Sequence, residues 1–133
     1  MCSSDLNWAW FLIEVPLDDL RAPQRAVELA EVLVKNAPAN VRHQALLGAA
    51  RCAAGDFAAA VQRLEAIPET ERRARDWLFL SQAQAKLSRD ADALRNYRSA
   101  VAAIQREGSN NPALKRLERA TSAIVRPGKG QEE

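Results

Sequence analysis

The residues that could do chemistry are few, and their spacing forms no catalytic arrangement. The chain has one histidine, His43, and no acid or nucleophile stands at a recognisable spacing from it, so a packing or solvent-facing role is expected. Of the two cysteines, Cys2 lies in an unusual opening segment and Cys52 lies within a helical pattern. Two cysteines do not make a disulfide framework. Because no base flanks Cys52, we expect a small buried apolar residue rather than a reactive thiol.

Short motifs for phosphate, phosphoryl-transfer and metal chemistry are incomplete. The segment PGKG at 127–130 lacks the G-x-x-x-x-G-K-[ST] spacing of a phosphate-binding loop. Arg75-Asp76 lacks the rest of a kinase catalytic loop, and the sequence has no Gly-rich loop or DFG. It also has no C-x-x-C and no H-E-x-x-H. The sequence therefore predicts no enzyme activity, no metal and no cofactor.

The connection at residues 69–76, which follows the helical segment ending near Pro68, carries charges of both signs. Its members are Glu69, Glu71, Arg72, Arg73, Arg75 and Asp76. Such a mixture is typical of a solvated loop with charges at the helix ends, and that is the structure expected here.

The composition favours one helical domain. The chain has 133 residues, 47% hydrophobic and only 5% aromatic, so alanine, leucine and valine must form the core. A net charge of +2 is too small to indicate nucleic-acid binding, which needs a basic face. No apolar run of 18 residues is present, so no membrane span is expected. Without a signal-peptide pattern, the predicted location is the cytoplasm.

Apolar residues at helical spacing predict an all-α fold made of helix pairs. Helical segments end near Asn36, Gly55, Pro68, Leu87 and Gly108. Asp56 and Asn111 stand where they can cap the helices that follow them. The last helix should pack Leu114, Leu117, Thr121 and Ile124 inward. It should turn Lys115, Arg116, Glu118 and Arg119 to water.

The helix pairs repeat at a fixed spacing. Gly48 and Ser81, Ala60 and Ala93, and Leu64 and Tyr97 are each 33 residues apart, and Ala26 precedes Ala60 by 34. Small residues at these places let helix backbones approach closely, and large ones fill the remaining space. Because one pair cannot cover its own apolar face, such units stack into an α-solenoid.

The repeat resembles the tetratricopeptide family, whose pattern is W-x2-L-G-x2-Y, then A-x3-F, then P. The matching residues are Trp77, Leu80, Ser81, Ala93 and Tyr97 in the third unit, Leu47, Gly48, Ala60 and Leu64 in the second, and Ala26 and Pro38 in the first. Ser81 replaces the usual glycine, and Gln84, Gln44 and Arg51 replace usual aromatic residues. The resemblance implies units at about 7–40, 41–74 and 75–108, a capping helix at 112–126 and a disordered tail at 127–133.

The same resemblance implies a concave groove lined by the first helix of each pair. By helical spacing its candidate residues are Arg42, Ala45, Ala49 and Ala53 from one unit, and Arg75, Leu78, Gln82 and Lys86 from the next. The three cations, Arg42, Arg75 and Lys86, suit an acidic or C-terminal peptide of a protein partner. The alternative is that these residues only keep the surface soluble.

Two functions therefore remain open. The first is a protein-interaction scaffold whose groove binds a peptide or helix of a partner. The second is a structural or regulatory C-terminal part of a larger enzyme, since similar bacterial tetratricopeptide arrays often follow a serine/threonine kinase domain. An in-frame catalytic domain upstream of Asn7 would support the second.

The opening hexapeptide MCSSDL does not fit the repeat. It has no apolar face, and Cys-Ser-Ser-Asp-Leu resembles the translation of a sequencing-adapter end, so residues 1–6 are expected to be non-native. The helix NWAWFLIEV then begins about one turn late. Trp8, Trp10 and Phe11 are accordingly expected at an exposed apolar edge, through which the chain could self-associate.

Overall fold

The computed structural model describes residues 9–10, 22–108 and 111–125, and within these ranges the fold is all-α. Its helices are α1 (Pro23–Asn36), α2 (Val41–Ala53), α3 (Phe57–Glu65), α4 (Ala74–Lys86), α5 (Asp90–Glu107) and α6 (Pro112–Val125). Ala9 and Trp10 are also helical, and Glu69–Glu71 forms a short 3₁₀ helix. The predicted all-α class is confirmed for these residues. The predictions for residues 1–6, Trp8, Phe11 and the tail 127–133 lie outside the described residues.

The helix ends follow local sequence signals. The Asp56 carboxylate accepts a hydrogen bond from the Ala59 amide, and the Asn111 side chain accepts one from Ala113, as predicted. Asn40 caps α2 by accepting from the amides of Arg42 and His43. Gly55, between α2 and α3, and Gly108, after α5, have φ of 92° and 63°, a conformation that glycine adopts without strain.

Helices α2 and α3 pack closely because Gly48 has no side chain. A Cβ atom at this position would lie 2.6 Å from Cγ of Leu64, well inside van der Waals contact. Leu64 fills the space above the glycine and is almost fully buried. The predicted pairing of a small residue with a large one is confirmed at this contact.

Helices α4 and α5 use polar groups at the corresponding contact. Ser81 is buried, and its hydroxyl donates a 2.6 Å hydrogen bond to the carbonyl oxygen of Ala93. Gln84 is buried too, and its side-chain oxygen accepts from the Asn96 amide at 2.7 Å. The Gln84 amide in turn donates to the Glu65 carboxylate of α3. These bonds satisfy polar groups that would otherwise destabilise the core.

The helix pairs join through two apolar clusters. One gathers buried residues of α1 to α3 together with Phe79, Leu80 and Ala83 of α4, and it includes Ala9. The other lies between α4, α5 and α6 and contains Trp77 and Leu78. Leu117 of α6 contacts both clusters, so the last helix joins them.

Helix α6 presents nearly the predicted face. Thr121 is fully buried, Leu114 and Leu117 contact the core, and Lys115, Arg116 and Arg119 are exposed. The exception is Glu118, which was expected to face water. It is half-buried because its carboxylate accepts a hydrogen bond from the Tyr97 hydroxyl at 3.1 Å.

Candidate functional site

Cys52 is a core residue. Its side chain is 4% exposed, and Sγ lies 3.7 Å from the Phe79 carbonyl oxygen. Burial raises the pKa of the thiol to about 12, an effect that the positive charge of Lys86 only partly opposes. The expectation of a small buried residue is confirmed, and a thiol in this environment does not act as a nucleophile near neutral pH.

His43 joins two helices. It lies in the first turn of α2 and is half-buried, and its Nδ1 is 3.2 Å from the Leu33 carbonyl oxygen near the end of α1. With a proton on Nδ1, the imidazole donates a second hydrogen bond to this carbonyl oxygen, which also accepts from the Ala37 amide. This is the packing role expected from the sequence.

The predicted groove is closed along α2. Ala45 and Ala49 are at most 1% exposed because α1, α3 and α4 pack around the helix. These side chains belong to the core and are not available to a peptide, which corrects the prediction at both positions. Ala53 is exposed. Arg42 is half-buried and points its guanidinium at α4 rather than into an open channel.

The predicted groove is also largely covered along α4. Leu78 is fully buried in the cluster that α6 completes, so its assignment to an open groove is corrected as well. Gln82 donates a 2.9 Å hydrogen bond to the Thr121 hydroxyl of α6. The Arg75 guanidinium lies 3.8 Å from the centre of the Trp10 ring. Of the α4 candidates, Lys86 alone is exposed.

Trp10 is not the exposed apolar residue that was expected. It is half-buried, its ring centre is 6.3 Å from that of Phe79, and it also contacts Arg75. Its neighbour Ala9 is fully buried. Trp10 therefore packs against α4 and Ala9 lies in the core, so neither residue forms a free edge.

A buried ion pair joins the N-terminal ends of α2 and α4. The Arg42 guanidinium donates to the Asp76 carboxylate at 3.0 Å and to the Glu71 carbonyl oxygen at 2.9 Å. The same carboxylate oxygen accepts from the Arg73 amide, which caps the start of α4. Asp76 is 1% exposed. The expectation that every charge of this connection is solvated is therefore wrong for Asp76.

Arg72 is held in a fixed position on the same connection. Its guanidinium donates to the carbonyl oxygens of Ile67 and Glu65, and it lies 4.8 Å from the centre of the Trp77 ring. These partners are neutral, so they orient the group without cancelling its positive charge. A cation that is fixed in this way can bind an anion with little further loss of side-chain entropy.

These contacts shape a pocket of about 410 Å³ between the start of α2 and the connection from α3 to α4. Its lining residues are Asn40, Val41, Arg42, Thr70, Glu71, Arg72 and Arg73. The volume is within the range of small-ligand sites, but four of the seven lining residues are charged, more than is usual for such sites. Arg42 and the charged connection were each identified from the sequence. Their proximity was not predicted, because 29 residues separate Arg42 from Glu71.

The pocket is suited to an anionic group that also carries hydrogen-bond donors. Its lining has three arginines and one glutamate, and Arg73 is exposed. The first turn of α2 adds the positive end of a helix dipole. Glu71 and Thr70 can accept hydrogen bonds, which a purely anionic ligand cannot donate.

No family model, curated protein or solved structure matches the chain. In residues 9–10, 22–108 and 111–125, no helix has the length and apolar character needed to cross a bilayer. The same ranges hold no group of three or more His, Cys, Asp or Glu side chains placed to bind a metal ion.

Proposed function

We propose that the chain is a tetratricopeptide-type repeat module that binds a segment of a partner protein. The observation that carries this proposal is the regular recurrence of the helix pair. Helix α4 begins 33 residues after α2, at Ala74 and Val41, and α5 begins 33 residues after α3, at Asp90 and Phe57. Both α2 and α4 have 13 residues.

The contacts between the paired helices support the same proposal. Gly48 and Ser81, 33 residues apart, both lie where α2 or α4 closely approaches the second helix of its pair. Stacked helix pairs give an extended surface, and such surfaces bind peptides or helices. Binding is therefore the function that this architecture supports best.

A peptide selection tests the proposal. The folded chain is used to select binders from a displayed library of random dodecapeptides, and each enriched peptide is synthesised and titrated by fluorescence anisotropy. Saturable binding that is lost when the chain is unfolded in urea is the expected result. The proposal would be contradicted if no enriched peptide had a dissociation constant below about 1 mM, which corresponds to weak association.

A further inference from the structure

We propose that the arginine pocket, defined by Arg42, Arg72 and Arg73 with Asn40, Thr70 and Glu71, binds an acidic peptide segment of the partner. This inference deepens the proposed function and rests on it. The site that recognises acidic residues then lies at the junction between two helix pairs and not in the predicted groove.

The arginine pocket is accessible to a partner, whereas the predicted groove is not. Ala45, Ala49 and Leu78 of the predicted groove are buried, and Gln82 is bonded to α6. The arginine pocket, by contrast, is open to solvent and large enough for more than one side chain. A partner can therefore reach the pocket in the described conformation, without displacing a helix.

Contacts within the chain hold guanidinium groups of the pocket in position before a ligand binds. Arg72 is oriented by two carbonyl oxygens and the Trp77 ring, and Arg42 by Glu71 and Asp76. Guanidinium groups bind carboxylates through two parallel hydrogen bonds when their planes are fixed. The third cation, Arg73, is exposed beside them. The pocket thus combines the positioned guanidinium of Arg72 with that of Arg73, which can adapt to the ligand, while Arg42 is paired with Asp76 and forms part of the wall.

The lining favours a peptide over a nucleic acid. Glu71 lines the pocket beside the three arginines, and a phosphate backbone has no hydrogen-bond donor to offer its carboxylate. A peptide offers backbone N–H groups to Glu71 and Thr70 while its acidic side chains meet the arginines. The mixture of donors and acceptors in the lining therefore favours an acidic peptide.

The test uses a fluorescein-labelled peptide of four glutamates flanked by glycines, titrated with the full chain at low salt. The corresponding glutamine peptide is the uncharged control. We expect saturable binding of the glutamate peptide that weakens as salt is added, because ions screen exposed charges. Equal binding of the glutamine peptide would overturn the proposal, as would tighter binding of an oligo-dT strand of the same charge.

Three charge reversals locate the site. R73E changes the pocket, K86E changes the exposed end of the predicted groove, and R98E changes an exposed position on α5. All three alter the net charge equally. We expect R73E to weaken binding about tenfold or more, the value of one charge-assisted hydrogen bond, and the other two by less than about twofold. Equal weakening by all three would overturn the proposal, because net charge alone would then explain binding.

The fold of R73E is checked by circular dichroism and its unfolding midpoint, and R73Q serves as a milder second variant. Arg73 supports α4 through its backbone amide, which both variants retain. Loss of binding in K86E but not in R73E or R73Q would reject the pocket while leaving the proposed function intact. Failure of the library selection described above would reject the proposed function itself.

Discussion

At the scale of single residues, Cys52 couples folding to pH. The pKa of the thiol is near 9.0 when the chain is unfolded, whereas burial raises this pKa to about 12 in the folded chain. The folded state therefore holds a proton that the unfolded state loses between these values. The contribution of Cys52 to stability is complete below pH 9 and is lost as the pH rises toward 12.

We therefore expect the free energy of unfolding to fall with pH above 9 more steeply in the natural chain than in C52A. One extra bound proton corresponds to a difference in slope of about 1.4 kcal/mol per pH unit. Urea unfolding at several pH values between 9 and 11 measures it. Tyrosine and lysine side chains titrate in both proteins, so they cancel in the comparison. Identical slopes would show that the thiol is accessible to water.

The Arg42–Asp76 pair should respond unequally to removal of its two partners. The Asp76 side chain is 1% exposed and that of Arg42 is 26% exposed. R42A leaves a buried carboxylate without its cation, and we expect a loss of about 3 kcal/mol in the free energy of unfolding. D76N removes the buried charge and keeps an oxygen that can accept a hydrogen bond from the Arg73 amide. It also leaves Arg42 partly hydrated, so the loss in the free energy of unfolding should be smaller.

The double variant R42A/D76N is the control for this pair. Without either charge no buried ion is left unpaired, so the double variant should be more stable than R42A. Urea denaturation of the four proteins gives the coupling free energy directly. If R42A and D76N cost the same and their effects add, the two groups do not interact in solution.

At the scale of helices, the contact between α2 and α3 depends on the absence of a side chain at position 48. An alanine there would gain up to about 1 kcal/mol of helix propensity. Its Cβ, however, would lie 2.6 Å from Leu64 Cγ, and overpacking of this kind costs about 1–3 kcal/mol. We expect G48A to lower the free energy of unfolding, because the steric cost exceeds the gain.

A second substitution separates steric conflict from other effects of G48A. L64A alone should cost about 2–5 kcal/mol because it leaves a cavity. In G48A/L64A the new methyl group enters that space, so the double variant should lose less than the sum of the single losses. Additive losses in urea unfolding would mean that the two positions are not in contact.

The helices and their ends could be predicted from the sequence because their causes are local. Gly55, Asp56 and Asn111 act within a few residues of their own position. The groove could not be predicted, since helical spacing defines a face but not what packs on it. Ala45 was assigned to an open surface, whereas α1 and α4 also pack on its helix.

The hydrogen-bond partners of buried polar residues could not be predicted from the sequence either. Gln84 stands where the repeat pattern has an aromatic residue, which suggested only a departure from that pattern. In the structure it bonds to Asn96 and Glu65 and so connects three helices. Its partners lie 12 and 19 residues away, and no sequence spacing singles them out.

At the scale of the whole molecule, both ends of the described chain pack against α4. Trp10 contacts Arg75 and Phe79, while Thr121 of α6 bonds to Gln82. These contacts cover positions that an isolated pair of α4 and α5 would expose. Residues that the repeat pattern assigns to a binding surface are therefore covered by Trp10 and by helix α6, whereas the arginine pocket is open to solvent.

The docking of Trp10 leads to a prediction for the whole molecule. Its ring is half-buried against Phe79 and beneath the Arg75 guanidinium. W10A should lower the free energy of unfolding by about 2 kcal/mol, less than for a fully buried aromatic residue. W10F should fall between W10A and the natural chain, because it keeps an apolar ring and weakens the attraction to the cation.

The variant R75A removes the cation from the Trp10 ring together with the other contacts of Arg75. We expect the cation–ring contact to account for about 0.5–1 kcal/mol of the loss, because Arg75 is partly exposed. W10A should also uncover Phe79, so sedimentation velocity is expected to show concentration-dependent association of W10A but not of R75A. An unchanged unfolding free energy in W10A would mean that Trp10 is not docked on α4 in solution. In that case the apolar edge expected from the sequence would be free, and the natural chain itself should associate.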